Sequence, residues 1–254
     1  MNRGTELLYS SSVQKLRPSR SSKKLLKAKI LGGKIMVEIS ASVLNVEKEN
    51  SAQTFYNLET SGIDYFHIDV MDGDFVEQNT VTKMMEYINI IKQISNIPID
   101  VHLMVKDIEE FIEYYIPLEP NRITIHYESD KQETLLEQIK KIKENKIKVG
   151  ISVKPNTKIE EVFPLLPFVH MCLVMTVEPG KGGQELIPST IEKIKRLKEY
   201  VEENQLDVDI EVDGGINLQT AKQVKEAGAN ILVVGTALIR AENYKEMVTE
   251  LKKE

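Results

Sequence analysis

The chain has no tryptophan, one cysteine (Cys172), four histidines and only 6% aromatic residues in 254. A single cysteine excludes an intramolecular disulfide framework and fits a reducing compartment. No apolar run approaches the roughly 18 residues needed to span a bilayer, so no membrane partner is expected. A net charge of −6 offers no basic excess for nucleic acid. What is present is ordinary for a cytoplasmic globular protein: 41% hydrophobic and 28% charged residues, enough apolar material for a sizeable core.

The net charge hides an asymmetry. Residues 1–35 carry nine basic residues and one acidic residue, Glu6, whereas the remaining 219 carry 24 basic and 38 acidic. This basic, Ser-rich head reads as an extension to a body at 36–254, expected to be disordered or not translated natively. A transit-like presequence is the other reading. Gly32-Gly33 lie a few codons before Met36, where an in-frame purine-rich ribosome-binding sequence would translate as Gly-Gly. No strand is expected before Met36.

From Met36 onward, short apolar segments alternate with amphipathic ones. Strands are expected at Val37–Ser42, Tyr65–Val70, Ile99–Met104, Arg122–His126, Lys148–Val153, Val169–Met175, Asp209–Asp213 and Ile231–Val234. Between them, Val81, Met84, Ile88 and Ile91 share one helical face, as do Ile187, Ile191, Ile194, Leu197 and Val201. Eight strand–helix repeats without a long linker indicate an α/β protein, a single (β/α)8 TIM barrel. A doubly wound open sheet is the runner-up, and it would scatter the polar strand ends that a barrel gathers.

Those polar ends carry the chemistry. Ser40-Ala41-Ser42, His67-Ile68-Asp69, Asp100-Val101-His102 and Glu211-Val212-Asp213 each place two polar residues two apart, hence on one face of a strand. The intervening apolar residues would pack on helices, leaving acids and imidazoles inside, where charge is costly unless paired or bound to metal. His67, Asp69, His102 and Asp213 therefore form a plausible four-ligand set for zinc or another divalent transition metal. Asp100 and Glu211, one pleat deeper, are expected to orient those ligands. The plainer alternative is an internal ion-pair network with no metal. His126, beside Thr124, is within reach of a ligand, whereas His170 and Cys172 read as packing residues.

A second constellation is rich in glycine. Glu178-Pro179-Gly180-Lys181-Gly182-Gly183-Gln184, Asp213-Gly214-Gly215 and Gly235-Thr236 follow the sixth, seventh and eighth strands. Glycine lets backbone N–H groups approach an anion, and loops after strands seven and eight commonly hold phosphate in barrel enzymes.

Four segments, His67-Ile68-Asp69-Val70-Met71-Asp72-Gly73, Asp100-Val101-His102-Leu103-Met104-Val105, Met175-Thr176-Val177-Glu178-Pro179-Gly180 and Glu211-Val212-Asp213-Gly214-Gly215-Ile216, resemble the ribulose-phosphate 3-epimerase family. The resemblance runs from about Val37 to Leu238. It implies a metal-dependent barrel, commonly a homo-oligomer, that inverts carbon 3 of a ketose phosphate through a metal-stabilised enediolate. One divalent ion (Zn, Fe, Mn or Co) would sit on His67, Asp69, His102 and Asp213. Asp69 and Asp213 would be the catalytic acid–base pair, one on each face of the planar intermediate. Substrate contacts would come from Ser42, His67, His102, Gly180, Lys181, Gly182, Gly183, Gly214, Gly215, Gly235 and Thr236. Met71, Met104 and Met175 would line the site.

Three departures bear on the sugar. The usual S-P-S-I-L reads Ser40-Ala41-Ser42-Val43-Leu44, and the usual P-G-F-G-G-Q carries Lys181 in place of phenylalanine. The usual D-G-H-F-V-P-N becomes Asp72-Gly73-Asp74-Phe75-Val76-Glu77-Gln78-Asn79, one residue longer. The substrate expected is D-ribulose 5-phosphate. Allulose 6-phosphate is an alternative, and a non-catalytic phosphosugar-binding barrel is a rival from another class.

Overall fold

A computed structural model describes residues 37–253, together with the backbone pair Ile30–Leu31 and Lys34–Ile35. The basic head otherwise lies outside the described residues. Ile30–Leu31 pairs antiparallel with Lys34–Ile35, which corrects the expectation that no strand precedes Met36.

The body is a closed parallel barrel of eight strands. They are β1 (Glu38–Ser42), β2 (Tyr65–Met71), β3 (Ile99–Met104), β4 (Arg122–His126), β5 (Lys148–Val153), β6 (Met171–Met175), β7 (Asp209–Asp213) and β8 (Ile231–Val234). Each pairs with the next, and β8 returns to β1 with Val233 opposite Ser40. That closure excludes the open-sheet alternative and brings every strand end to one rim.

Strand alternation sorts the side chains into two environments. Phe66, Ile68 and Val70 of β2, Val101 and Leu103 of β3, and Ile123 and Ile125 of β4 join one large apolar layer with the helices. Each such fully buried side chain contributes about 1.5–3 kcal/mol. Met171, Leu173, Met175, Val177 and Ile231 form a second, smaller cluster contributed by β6, β8 and the loop after β6. The opposite parity of β2, β3, β4 and β7 carries His67, Asp69, Asp100, His102, Arg122, Thr124 and Glu211, all buried. Register sets them side by side: Asp69 opposite His102, Asp100 opposite Arg122, and Ser42 opposite His67.

The outer layer follows the expected pattern with one exception. The helix Val81–Ile94 buries Met84, Ile88 and Ile91, and Thr190–Glu203 buries Ile194, Leu197 and Val201. Ile187 precedes that second helix. Between β5 and β6 the connection is a 3-10 run, Ile159–Phe168, and it contains Pro164 and Pro167. A proline lacks the N–H that an α-helix interior needs, so the tighter, shorter turn takes its place. Among the described residues no helix is long and apolar enough to cross a membrane.

Candidate active site

Four side chains converge just inside the rim. His67 Nε2 lies 3.2 Å from Asp69 Oδ1 and 3.9 Å from Asp213 Oδ2, while His102 Nδ1 lies 3.4 and 3.8 Å from the same two oxygens. One ligand-capable atom from each residue fits within 4.8 Å of the others. Two donors at about 2.1 Å from a tetrahedral ion stand about 3.4 Å apart, close to the four separations between imidazole and carboxylate here. His67 Nε2 and His102 Nδ1 are also buried without a hydrogen-bond partner. Orphaned imidazole nitrogens facing two carboxylates are a donor set that a divalent cation satisfies.

A layer beneath supports the cluster. Asp100 accepts Nε–H and Nη2–H of Arg122, both at 2.8 Å, and its Oδ2 lies 3.0 Å from His67 Nδ1. A carboxylate clamped by a guanidinium is an acceptor, so Nδ1 of His67 carries a proton in either charge state, and Nε2 is the nitrogen whose lone pair faces the cluster once the ring is neutral. Ser40 Oγ donates to Asp100 at 3.3 Å, and Ser42 Oγ donates to Asp69 Oδ2 at 2.8 Å. Glu211 does not hydrogen-bond a member of the four-residue cluster; its Oε1 accepts from Arg122 at 3.2 Å and its Oε2 is unpartnered. Arg122, 3% exposed, is thus the hub of the buried network. At the start of a strand it reads in sequence as a surface cation, which is why its partnership was missed. His170 is a correction of another kind. It is exposed just before β6, where its Nδ1 accepts the N–H of Val149, while Cys172 is buried as expected.

Burial and charge pull the carboxyls in opposite directions. Burial would raise Asp69, but the imidazoles of His67 and His102 outweigh it and hold its carboxyl below the usual range. Burial, then the facing charge of Asp69, push Asp213 up to about 6. Burial also lifts Glu211 well above its ordinary value, since Arg122 is already shared with Asp100. His67 is raised despite burial, by Asp69 and Asp100.

Asp69 and Asp213 face a cavity of about 630 Å³ that is also lined by Ser42, Met71, Met104 and Met175. Its far wall is built by Gly180 to Gly183, Gly214-Gly215 and Gly235-Thr236, the three glycine loops. Gly215, at φ +68, would drive a Cβ into the backbone of Leu186, and a Cβ on Gly182 would strike the amide of Asn45. His67 and His102 are fully buried and are not among the residues that line the cavity. Asn45 and Arg240 are among the lining residues missed from sequence. Asn45 bonds Thr236 Oγ1 at 3.0 Å, and Arg240 adds a cation one turn beyond Gly235-Thr236. The signal for Arg240 was its spacing from that glycine.

Residues 38–239 match the model of the ribulose-phosphate 3 epimerase family. The chain belongs to the ribulose-phosphate 3-epimerase family. It is 33% identical to the ribulose-phosphate 3-epimerase of Bacillus subtilis, over 85% of this chain and 99% of that one. It is 35% identical to that of Methanocaldococcus jannaschii, over 85% and 90%. Among solved structures, 3-hexulose-6-phosphate synthase from Salmonella typhimurium superposes with a TM-score of 0.62 at 17% identity, over 85% of this chain and 96% of that one. At that identity the likeness speaks for the barrel alone.

Against the epimerase-family motifs, the departures take defined places. The lengthened segment folds as a tied loop in which Asp72 Oδ1 accepts the N–H groups of Asp74 and Phe75, and Asp72 Oδ2 that of Lys106 at 2.6 Å. Lys181 is exposed and lines the cavity beside Gly180 and Gly182.

Proposed function

We propose that this protein inverts carbon 3 of a ketose phosphate, D-ribulose 5-phosphate to D-xylulose 5-phosphate, using one divalent ion (Zn, Fe, Mn or Co). The observation that carries the reading is the meeting of Asp69 and Asp213, from strands far apart in the chain, across one pair of imidazole nitrogens at the floor of a glycine-walled cavity. Binding alone does not require acids from two strands.

His67, Asp69, His102 and Asp213 would hold the ion. Bound there, it would polarise the ketose oxygens and ease formation of the enediolate. Asp69 and Asp213 flank the reacting carbon, one removing its proton and the other returning one to the opposite face. The separation of their acidities, Asp69 held down and Asp213 held up, supports such a division of roles. Ser42, donating to Asp69 Oδ2, fixes that carboxylate's orientation and stands at the cavity wall for a sugar hydroxyl. The three methionines give the intermediate a polarisable, water-poor lining. The backbone N–H groups of the glycine loops, with Lys181 and Arg240, supply positive potential for the phosphate.

The same reading has residues 36–254 as one catalytic domain behind a basic extension, a cytoplasmic setting, a homo-oligomeric assembly, and no nucleic-acid or membrane partner. The test is incubation of the metal-loaded protein with ribulose 5-phosphate in deuterated water. Deuterium at carbon 3 and xylulose 5-phosphate are expected; the absence of both sinks the reading. Exchange confined to allulose 6-phosphate would transfer it to the six-carbon ketose.

A further inference from the structure

One of the two imidazole ligands has a buried support that the reaction itself does not use. His102 Nε2 lies 2.9 Å from His126 Nε2, and the ring planes are within 25° of each other with centroids 4.9 Å apart. A short N···N distance with that centroid spacing places the rings edge to edge, as in an end-on hydrogen bond, not one above the other. On its other side His126 Nδ1 lies 3.0 Å from Glu128 Oε2. The second oxygen of Glu128 accepts the N–H of Lys154 at 2.7 Å and the hydroxyl of Thr157 at 2.5 Å. A carboxyl group ringed by donors is in its acceptor form.

Proton positions then follow by elimination. Glu128 only accepts, so the proton it meets is on His126 Nδ1. A neutral His126 has its lone pair on Nε2, so the proton between the two rings belongs to His102 Nε2. That leaves the Nδ1 lone pair of His102 aimed at Asp69 and Asp213. We propose that Glu128 and His126 are positioning residues that lock His102 in the Nε2–H tautomer and present its Nδ1 to the metal. The proposal rests on the metal reading above.

The anchor of this relay is built to be stiff. The ammonium of Lys193 donates to three carbonyls, of Lys154, Pro155 and Thr157, and so clamps the loop whose backbone and hydroxyl hold Glu128. Phe75, from the lengthened loop after β2, packs on His126 at 4.9 Å, and Lys154 Nζ sits 3.8 Å over the Phe75 ring. Carboxylate–imidazole partners of this kind fix ligand orientation, and their loss costs roughly 10- to 100-fold in metal affinity.

The test uses zinc-loaded protein and two readouts besides turnover. Imidazole nitrogen NMR is expected to show His126 protonated at Nδ1 and His102 at Nε2; His126 protonated at Nε2 overturns the proposal. Zinc affinity, measured by calorimetry against a competing chelator, is expected to fall about 10- to 100-fold in His126→Leu and in Glu128→Ala. His126→Gln, whose side-chain carbonyl can still accept from His102, is expected to recover part of the loss. Wild-type affinity in folded His126→Leu or Glu128→Ala would overturn it. Should either variant fail to fold, the wild-type tautomer still decides. A wild-type protein that binds no zinc would instead remove the metal reading beneath the proposal, so the two failures look different.

Discussion

Asp213 is the residue at which structure and chemistry pull hardest against each other. Its side chain is largely buried, 17% exposed, and faces Asp69, and the resulting rise to about 6 means that at neutral pH the ion-free fold carries an ionised group it disfavours. The sign is definite: a carboxyl whose folded value lies above its unfolded one loses stabilising power as pH climbs from about 4 through about 6, and stays unfavourable above. Asparagine removes that penalty along with the proposed proton carrier. Asp213→Asn is therefore expected to lower turnover by at least 10²–10⁴-fold. The same change should leave the ion-free protein melting no lower than wild type at pH 7 in a thermal scan. A retained rate would remove Asp213 from its role, and a collapsed melting temperature would show that the group is chiefly structural.

At the scale of the element, β5 is tightly hemmed at Gly150. Gly150 sits opposite Thr124 and Met171, and a Cβ there would run into Thr124 Oγ1 and come within 2.8 Å of Met171 Cε. Overfilling a packed interior costs about 1–3 kcal/mol, so Gly150→Ala should lower the unfolding free energy by that amount and move the urea midpoint downward, while sparing the proposed metal ligands. A mutant as stable as wild type would show that the barrel interior yields. The elements are also where sequence reading worked best and where its limits lie. Alternation in Ile99-Asp100-Val101-His102-Leu103 reveals which face of β3 is inside, because period two leaves only two choices. It could not reveal that Arg122 bridges Asp100 and Glu211, or that His126 reaches His102, since these contacts depend on how neighbouring strands align and, for β4 and β7, on closure of the barrel. The strand–helix alternation implied an α-helix between β5 and β6, but Pro164 and Pro167 lack the N–H groups it needs, and a 3-10 run stands there.

For the whole molecule, the proposed ligand set would tie stability to metal occupancy. An ion bound only by the folded barrel adds stability as its concentration exceeds its dissociation constant, about 2.7 kcal/mol at a hundredfold excess. Melting should rise with added zinc or manganese and fall back with chelator; an unmoved transition would argue against the site. Acid should weaken this, because the ion must displace the proton that Asp213 keeps below about pH 6 and the one His67 keeps to higher pH. Apparent affinity should drop about tenfold per pH unit for each proton displaced. A pH-independent affinity would contradict the proposed ligands.

The paired polar register described for β2, β3 and β4 has a consequence for folding fidelity. Shifting β3 by one residue would turn Asp100 and His102 out among the apolar side chains of the helices and bring Val101 and Leu103 in against Arg122. Breaking a buried ion pair in this way costs about 3–5 kcal/mol, a large share of the stability of an ordinary domain. A closing barrel can accept many alignments of interchangeable valines and isoleucines, but only one in which these charges meet. The groups that serve the chemistry thus also act as alignment marks, and misassembled barrels are penalised by the same residues that would give the finished one its activity.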